Sequence, residues 1–285
     1  MNMRKPYILY PFIIVLLVLN GWMLHLIFNP PAEVLEVHFL DVGQGDAILI
    51  KAPGGIDMLI DGGPDRSVMR QLPKKLGLFD RTIDIVIATH PDKDHIAGLA
   101  DVLDRYQVSY LIESGVEHNS SFVDALEQAA LAESGLTRLD ARRGTRIHLG
   151  ESVYADILFP DRDVANIATN DGSIALRLVY GSTSFLLAGD APSKVEDYLV
   201  SLDGTSLKSD VLKASHHGSK TSTSGTWLAA VDPAVVIISA GRNNSYGHPA
   251  PEVLERVHDA GARVLATLGE GTVTLVSDGV TIRER

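Results

Sequence analysis

The sequence predicts an α/β (α+β) fold in which two β-sheets pack face to face with helices outside, preceded by one transmembrane helix. Three observations carry that prediction. Short, β-rich apolar runs recur through residues 34–285 in two strand-rich halves. From residue 67 onward such runs alternate with segments of helical periodicity, the wiring of a layered α/β domain. Ahead of both lies an uncharged apolar run from Tyr7 to Phe28, about 22 residues against the roughly 20 that cross a bilayer core.

Arg4 and Lys5 precede that run. Positive charge before a first span is held in the cytoplasm, so the expected topology is a short cytoplasmic stub, a single-pass anchor in the cell membrane, and an extracytoplasmic C-terminal domain. A cleaved signal peptide is the rival, but the run is long for one, and "FNPPAEVLEV" offers no small-residue cleavage site. The expected division is therefore 1–33 as stub, anchor and linker, and 34–285 as one domain with no tandem repeat.

In order after the "NPPAE" linker, "VLEVHFLDV", "DAILIKA" and "IDMLIDGG" read as a β-meander closed by Gly turns. "SVMRQLPKKLGL" then reads as a helix, "TIDIVIAT" as a strand, "IAGLADVLDRY" as a helix, "VSYLIES" as a strand and "SFVDALEQAALAES" as a helix. The second half places strands at "SVYADILFP", "SIALRLVYG", "TSFLLAGD", "SDVLKAS" and "AVVIIS". Its helices fall at "SKVEDYLVSL", "TSGTWLAAV" and "APEVLERVHDAG".

The chain of 285 residues is 45% hydrophobic and 21% charged, enough for one large core. It contains no cysteine, so a disulfide framework and a thiol nucleophile are excluded, and any metal must rest on His and carboxylates. Net charge is -11. Without Arg4, Lys5 and Glu33 the remainder holds 23 basic and 35 acidic residues, or -12, and shows no basic run of the kind that grips nucleic acid along its length.

The chemistry concentrates in "ATHPDKDHIAGL", where His90, Asp92, Asp94 and His95 occupy a strand-to-helix loop. Open α/β sheets gather their active residues at such loops. The competing reading is a solvated acidic turn in which Asp94 caps the next helix. Against it, Asp61 in "MLIDGG", Asp190 in "FLLAGDA", and His216 and His217 in "VLKASHHGSK" also follow apolar strands. One sheet edge then carries a dense set of carboxylates and imidazoles, and divalent cations are the simplest compensation for their mutual repulsion.

These motifs resemble the metallo-β-lactamase superfamily, whose H-x-H-x-D-H pattern stands here as His90 to His95 with Asp92 in place of the second His. The order of "FLDVGQGDAILI", "LIDGG", "THPDKDHIAGL", "LLAGD", "SHHGSKTS" and "YGHPAPEVLERV" is similar to the hydrolase domain of ComEC-type competence (DNA-uptake) proteins. The resemblance implies a four-layered αββα sandwich with a two-metal centre at one edge. His90 and Asp92 match the ligands of one metal, Asp94 and His95 those of the other, and Asp190 the bridging carboxylate. Of the two adjacent histidines His216 is favoured as a ligand, leaving His217 to substrate or protons. Asp61 matches a bracing residue behind the metal loop and Asp46 a supporting one, and His248, by itself a turn residue before a helix that Pro249 would start, matches a substrate or proton-transfer position. Where the superfamily supplies a further His, "ATNDGSIALRL" offers Asn170 and Asp171. Replacing an imidazole by a carboxylate hardens the site and moves its preference from Zn2+ toward Mn2+.

His38, His118, His148 and His258 have no such context and read as packing or surface residues. The glycines of "GQGD" precede a strand, so they form no dinucleotide loop, and "SHHGS" contains no nucleophile elbow.

The expected activity is metal-dependent hydrolysis of phosphodiesters by a metal-bridging hydroxide, with single-stranded DNA as the partner that the resemblance suggests. Two alternatives stay open: a small phosphodiester such as choline-phosphate on a surface polymer, which the acidic balance favours, and a non-catalytic membrane-tethered binding module. One span forms no conducting pore, so the expectation is a freestanding relative of one domain.

Overall fold

The computed structural model describes residues 9–28, 34–77 and 79–285. They fall into two compact units, Met1–Glu33 and Val34–Arg285. Within the first, α1 (Leu9–Phe28) is one unbroken helix. Among the described residues no helix is long and apolar enough to cross a membrane. Residues 7–8 at the head of the expected span, and the side chains of residues 9 and 25–28, lie outside the description.

The second unit follows the chain as β1 (Leu35–Phe39), β2 (Ile48–Lys51), β3 (Asp57–Ile60), α2 (Val68–Leu76), β4 (Thr82–Ala88), α3 (Lys93–Ile96), α4 (Leu99–Arg105) and β5 (Gln107–Glu113). It continues through α5 (Ser121–Ala132), β6 (Thr137–Asp140), β7 (Arg146–His148), β8 (Val153–Phe159), β9 (Ala175–Tyr180), β10 (Thr183–Leu187), α6 (Ser193–Asp203) and β11 (Val211–Lys213). The remaining elements are α7 (Gly225–Val231), β12 (Val235–Ile238), α8 (Pro251–Asp259), β13 (Arg263–Ala266), α9 (Thr267–Glu270), β14 (Val273–Ser277) and β15 (Ile282–Glu284).

One sheet runs β15-β14-β1-β2-β3-β4-β5-β6 and the other β13-β12-β11-β10-β9-β8-β7. Both are built alike. Antiparallel strands lead into a parallel run, β3 to β6 in the first sheet and β10 to β13 in the second. Between the sheets lies a core of alternating inward residues such as Val37, Phe39, Ile50, Ile85, Leu178, Phe185 and Ile237. A second cluster seats α2, α4 and α5 on the outer face of the first sheet through Leu72, Leu99, Leu103 and Leu126. A third seats α6, α7 and α8 on the other sheet through Leu199, Trp227 and Val253. The result is four layers, αββα.

Five strands escape the periodicity reading. All four residues of β6 are exposed, and β7, β13 and β15 are short strands at sheet edges. The fifth, β14, is fully buried but sits far along the chain from its partner β1, where Leu35 pairs with Ser277 and Phe39 with Val273. Pro251 rather than Pro249 opens α8.

The parallel strands β3, β4, β10, β11 and β12 all end at the same edge of the sandwich, where antiparallel β2 and β9 begin. The loops at that edge therefore carry residues 40–47, 61–63, 89–95, 170–174, 188–192, 214–224 and 239–250, the stretches that hold the chemistry.

Candidate metal centre

The metal loop is held from below by a tight turn. Gly62 N–H donates to the His95 carbonyl at 2.6 Å, and Gly98 N–H to that of Gly63 at 3.1 Å. Asp46 N–H donates to the Asp94 carbonyl at 3.1 Å. Beside it, Gly45 has φ +140°, and a Cβ built there would collide with the Asp94 carbonyl oxygen, so this approach requires glycine.

Asp61, fully buried at φ +58°, is the brace of the loop. Its Oδ1 accepts from Thr89 N–H at 2.8 Å, and its Oδ2 accepts from Thr89 Oγ1 and His95 Nδ1, both at 2.7 Å. Because the Thr89 hydroxyl hydrogen is committed to Asp61, His90 Nδ1 donates to Thr89 Oγ1 at 3.0 Å. His217 Nδ1 donates to the Ser239 carbonyl, also at 3.0 Å. Each outer partner thus occupies Nδ1–H and turns Nε2 inward as the atom left for a cation.

The Nε2 atoms of His90, His95 and His217 are buried without hydrogen-bond partners, as are Asp190 Oδ1 and Asp46 Oδ1. These donors converge. His90, His95 and Asp190 offer atoms within 4.8 Å of one another, and so do Asp94, His95 and His217. His95 Nε2 lies 3.3 Å from Asp190 Oδ1, and His217 Nε2 lies 3.2 Å from Asp94 Oδ2 and 3.5 Å from Asp190 Oδ2. Orphaned imidazole and carboxylate atoms that face one another fit divalent cations. Asp190, between the two groups, is placed to serve both.

Of the adjacent histidines, it is His217 that enters these donor groups. The sequence reading favours His216, but its side chain is 29% exposed, with Nε2 3.7 Å from Asp190 Oδ2. Both residues adopt positive φ, 51° and 55°, and this left-handed pair turns the two rings to different sides. Asp92 stands at the mouth, 3.6 Å from His90 Nε2. A cleft of 140 Å³ opens there between Gln44, Asp92, Asp94, His216, Tyr246 and His248. His248 packs against His216 at 5.6 Å between ring centres, and Tyr246 stacks on His248 at 5.7 Å. Asn170 lies on the one-turn helix Thr169–Gly172, and its Oδ1 is buried.

Charge is densely coupled here. Burial would raise the pKa of Asp190, but His217 and His95 hold it well below the usual carboxylate range. Burial would lower His95 and His217, yet Asp190 with Asp61 keeps His95 well above its ordinary value, and Asp190 with Asp46 lifts His217 to about 9. Burial pushes His216 and His248 down.

Two residues here escape sequence reasoning. Thr89 looks like an ordinary strand-end threonine. Lys213 is 0% exposed, pairs with Asp46, donates to the Gly189 carbonyl at 3.2 Å and lies 3.8 Å from Asp190 Oδ1. A lysine at the end of "DVLK" reads as a solvated strand terminus, and only its burial distinguishes it. Of the remaining histidines, His38 is buried against Thr274, whereas His118, His148 and His258 are exposed.

The sandwich and this edge define the class, and residues 40–242 match the metallo-beta-lactamase superfamily. The chain belongs to that superfamily, with the fold of its metal-dependent hydrolases. It is similar to ComE operon protein 3 of Bacillus subtilis (strain 168), 32% identical across 84% of this chain and 32% of the relative. It is likewise similar to competence protein ComA of Neisseria gonorrhoeae, 30% identical across 83% of this chain and 31% of that protein. The chain thus spans about a third of the length of these curated relatives. Among solved structures, Igni18, a metallo hydrolase from Ignicoccus hospitalis KIN4/I, shares the fold at a TM-score of 0.53 and 16% identity, over 85% of this chain and 98% of that one.

Proposed function

We propose that this chain is a phosphodiesterase acting on nucleic-acid strands with two divalent ions, Zn2+ or Mn2+, anchored in the cell membrane by the apolar run from Tyr7 to Phe28, with residues 34–285 outside the cytoplasm. The observation that carries the reading is the convergence of three outer-fixed imidazole Nε2 atoms on Asp94 and Asp190 beside an open cleft. His90, His95, His217, Asp94 and Asp190 would hold the ions, with Asp92 at the mouth. The bound ions supply Lewis acidity, a lowered pKa for water and compensation of phosphate charge.

The protein's own part is orientation. His216 and His248 border the cleft, and burial keeps both imidazoles neutral near pH 7, able to hydrogen-bond a phosphoryl oxygen or carry a leaving-group proton. Tyr246, 70% exposed, presents an aromatic face on which an unpaired base can stack. The names of the relatives, one a competence protein, support a DNA strand as substrate.

Support for the anchor comes from the sequence of the run from Tyr7 to Phe28, which carries no charge over about 22 residues. Its large described side chains between Tyr10 and Leu24 are exposed and apolar.

A second reading has its own observation. A cleft of 340 Å³ beside His90 is lined by Glu113, Glu117, Glu127 and Asp140, with Arg138 and His118. That negative excess suits a small phosphodiester bearing a cation, such as a choline-phosphate headgroup.

The deciding experiment measures the metal content of the purified protein, then hydrolysis of single-stranded DNA and of a bis-aryl phosphodiester with Mn2+ or Zn2+. Two ions with DNA cleavage are expected. Two ions with only the small diester cleaved would favour the second reading, and absence of metal and turnover would sink both.

A further inference from the structure

Lys213 is buried at the metal edge but is no ligand and does not reach the cleft. Its environment is specific. Asp46 stands on the loop entering β2 of the first sheet, whereas Lys213 ends β11 of the second, beside Gly189 and Asp190 on the loop after β10. The ammonium therefore clasps the seam between the sheets, pairing with Asp46 on one side and holding the Gly189 carbonyl on the other. Divalent ions would bridge the same seam, since His90, Asp94 and His95 come from the first sheet and Asp190 and His217 from the second.

We propose that Lys213 is a built-in counter-ion that keeps this seam closed and the ligand set assembled when divalent ions are absent. Asp46, Asp61, Asp92, Asp94 and Asp190 bring five negative charges to the edge. Two divalent ions and one ammonium balance them in full. With both ions bound, four of the five charges are offset without Lys213. With none bound, protonated His95 and His217 offset two of the five and leave three to one ammonium, so the attraction of Lys213 counts for more in the empty state. By linkage, its removal must destabilise the metal-free protein more than the loaded one.

The inference rests on the centre holding divalent ions, and thermal melting of the full chain in detergent, with chelator or with saturating Mn2+, tests both separately. A wild-type protein that Mn2+ does not stabilise would overturn the metal reading and this inference together. Given a wild-type shift, metal-free Lys213→Met is expected to melt about 10 °C below metal-free wild type, as a broken buried ion pair implies. In Mn2+ the gap should shrink to less than half. An equal gap in both conditions would reduce Lys213 to packing and overturn the proposal.

If Lys213→Met is unfolded in both conditions, the double variant Asp46→Asn with Lys213→Met decides. Recovery of a folded metal-free protein shows that charge was the requirement and supports the counter-ion. Continued failure to fold points to shape alone and overturns it.

Discussion

At the scale of single residues, the centre depends as much on what lies behind the ligands as on the ligands themselves. Asp61 touches no expected metal position but accepts three hydrogen bonds that set the loop backbone, the Thr89 hydroxyl and the His95 tautomer. Asp61→Asn presents an amide hydrogen to one of those donors, and metal affinity should fall by about 10- to 100-fold in a chelator competition. Asp190→Ala should lose metal and activity while circular dichroism stays near native, because Asp46 remains to pair Lys213. Unchanged turnover in that variant would sink the site assignment. Residue types and their strand-end positions were legible in the sequence: His90, Asp94, His95 and Asp190 all meet in the structure. The choice between His216 and His217 was not, since it follows from two left-handed φ values that no side-chain pattern announces.

At the scale of elements, the centre is a product of loop turns that glycine permits. Gly45→Ala places a methyl group against the Asp94 carbonyl, so the loop must retreat. We expect loss of bound metal and destabilisation of roughly 1–3 kcal/mol by denaturant melting. The pairing of β1 with β14 has its own titration. Burial, then Lys75, lowers the His38 pKa to about 4. A folded value below the unfolded one of 6.5 means that stability is complete above that pH and is lost as pH falls from 6.5 through 4. The loss attributable to His38 should reach about 3 kcal/mol, and His38→Gln should flatten that part of the stability curve. Periodicity shows β1 as a strand, but its neighbour β14 lies some 240 residues onward, and no local signal names that partner.

For the whole molecule, two similar half-sheets close on one core and bring their loops to one edge. The candidate ligands come from both sheets, so metal binding by them would be thermodynamically linked to the packing of the sandwich. Divalent metal at about a hundredfold over its dissociation constant should add about 2.7 kcal/mol, a melting rise of about 5–10 °C that chelator reverses. No shift with Mn2+ or Zn2+ would remove the metal centre from the account. The acidic balance also has a consequence. On the proposed reading, DNA binding should depend on the ions more than on protein cations, so raising monovalent salt at constant Mn2+ should weaken it less than a basic groove would allow.

By itself the sequence determined the layered α/β class, the strand-end placement of the Asp and His residues, and the metal chemistry they imply, because periodicity and residue type are local properties. Tertiary structure alone decided that β14 completes the first sheet, that His217 faces the donor cluster, and that Lys213 lies among the carboxylates. Each of these depends on what is buried against what, and burial arises only when segments distant in the chain pack together.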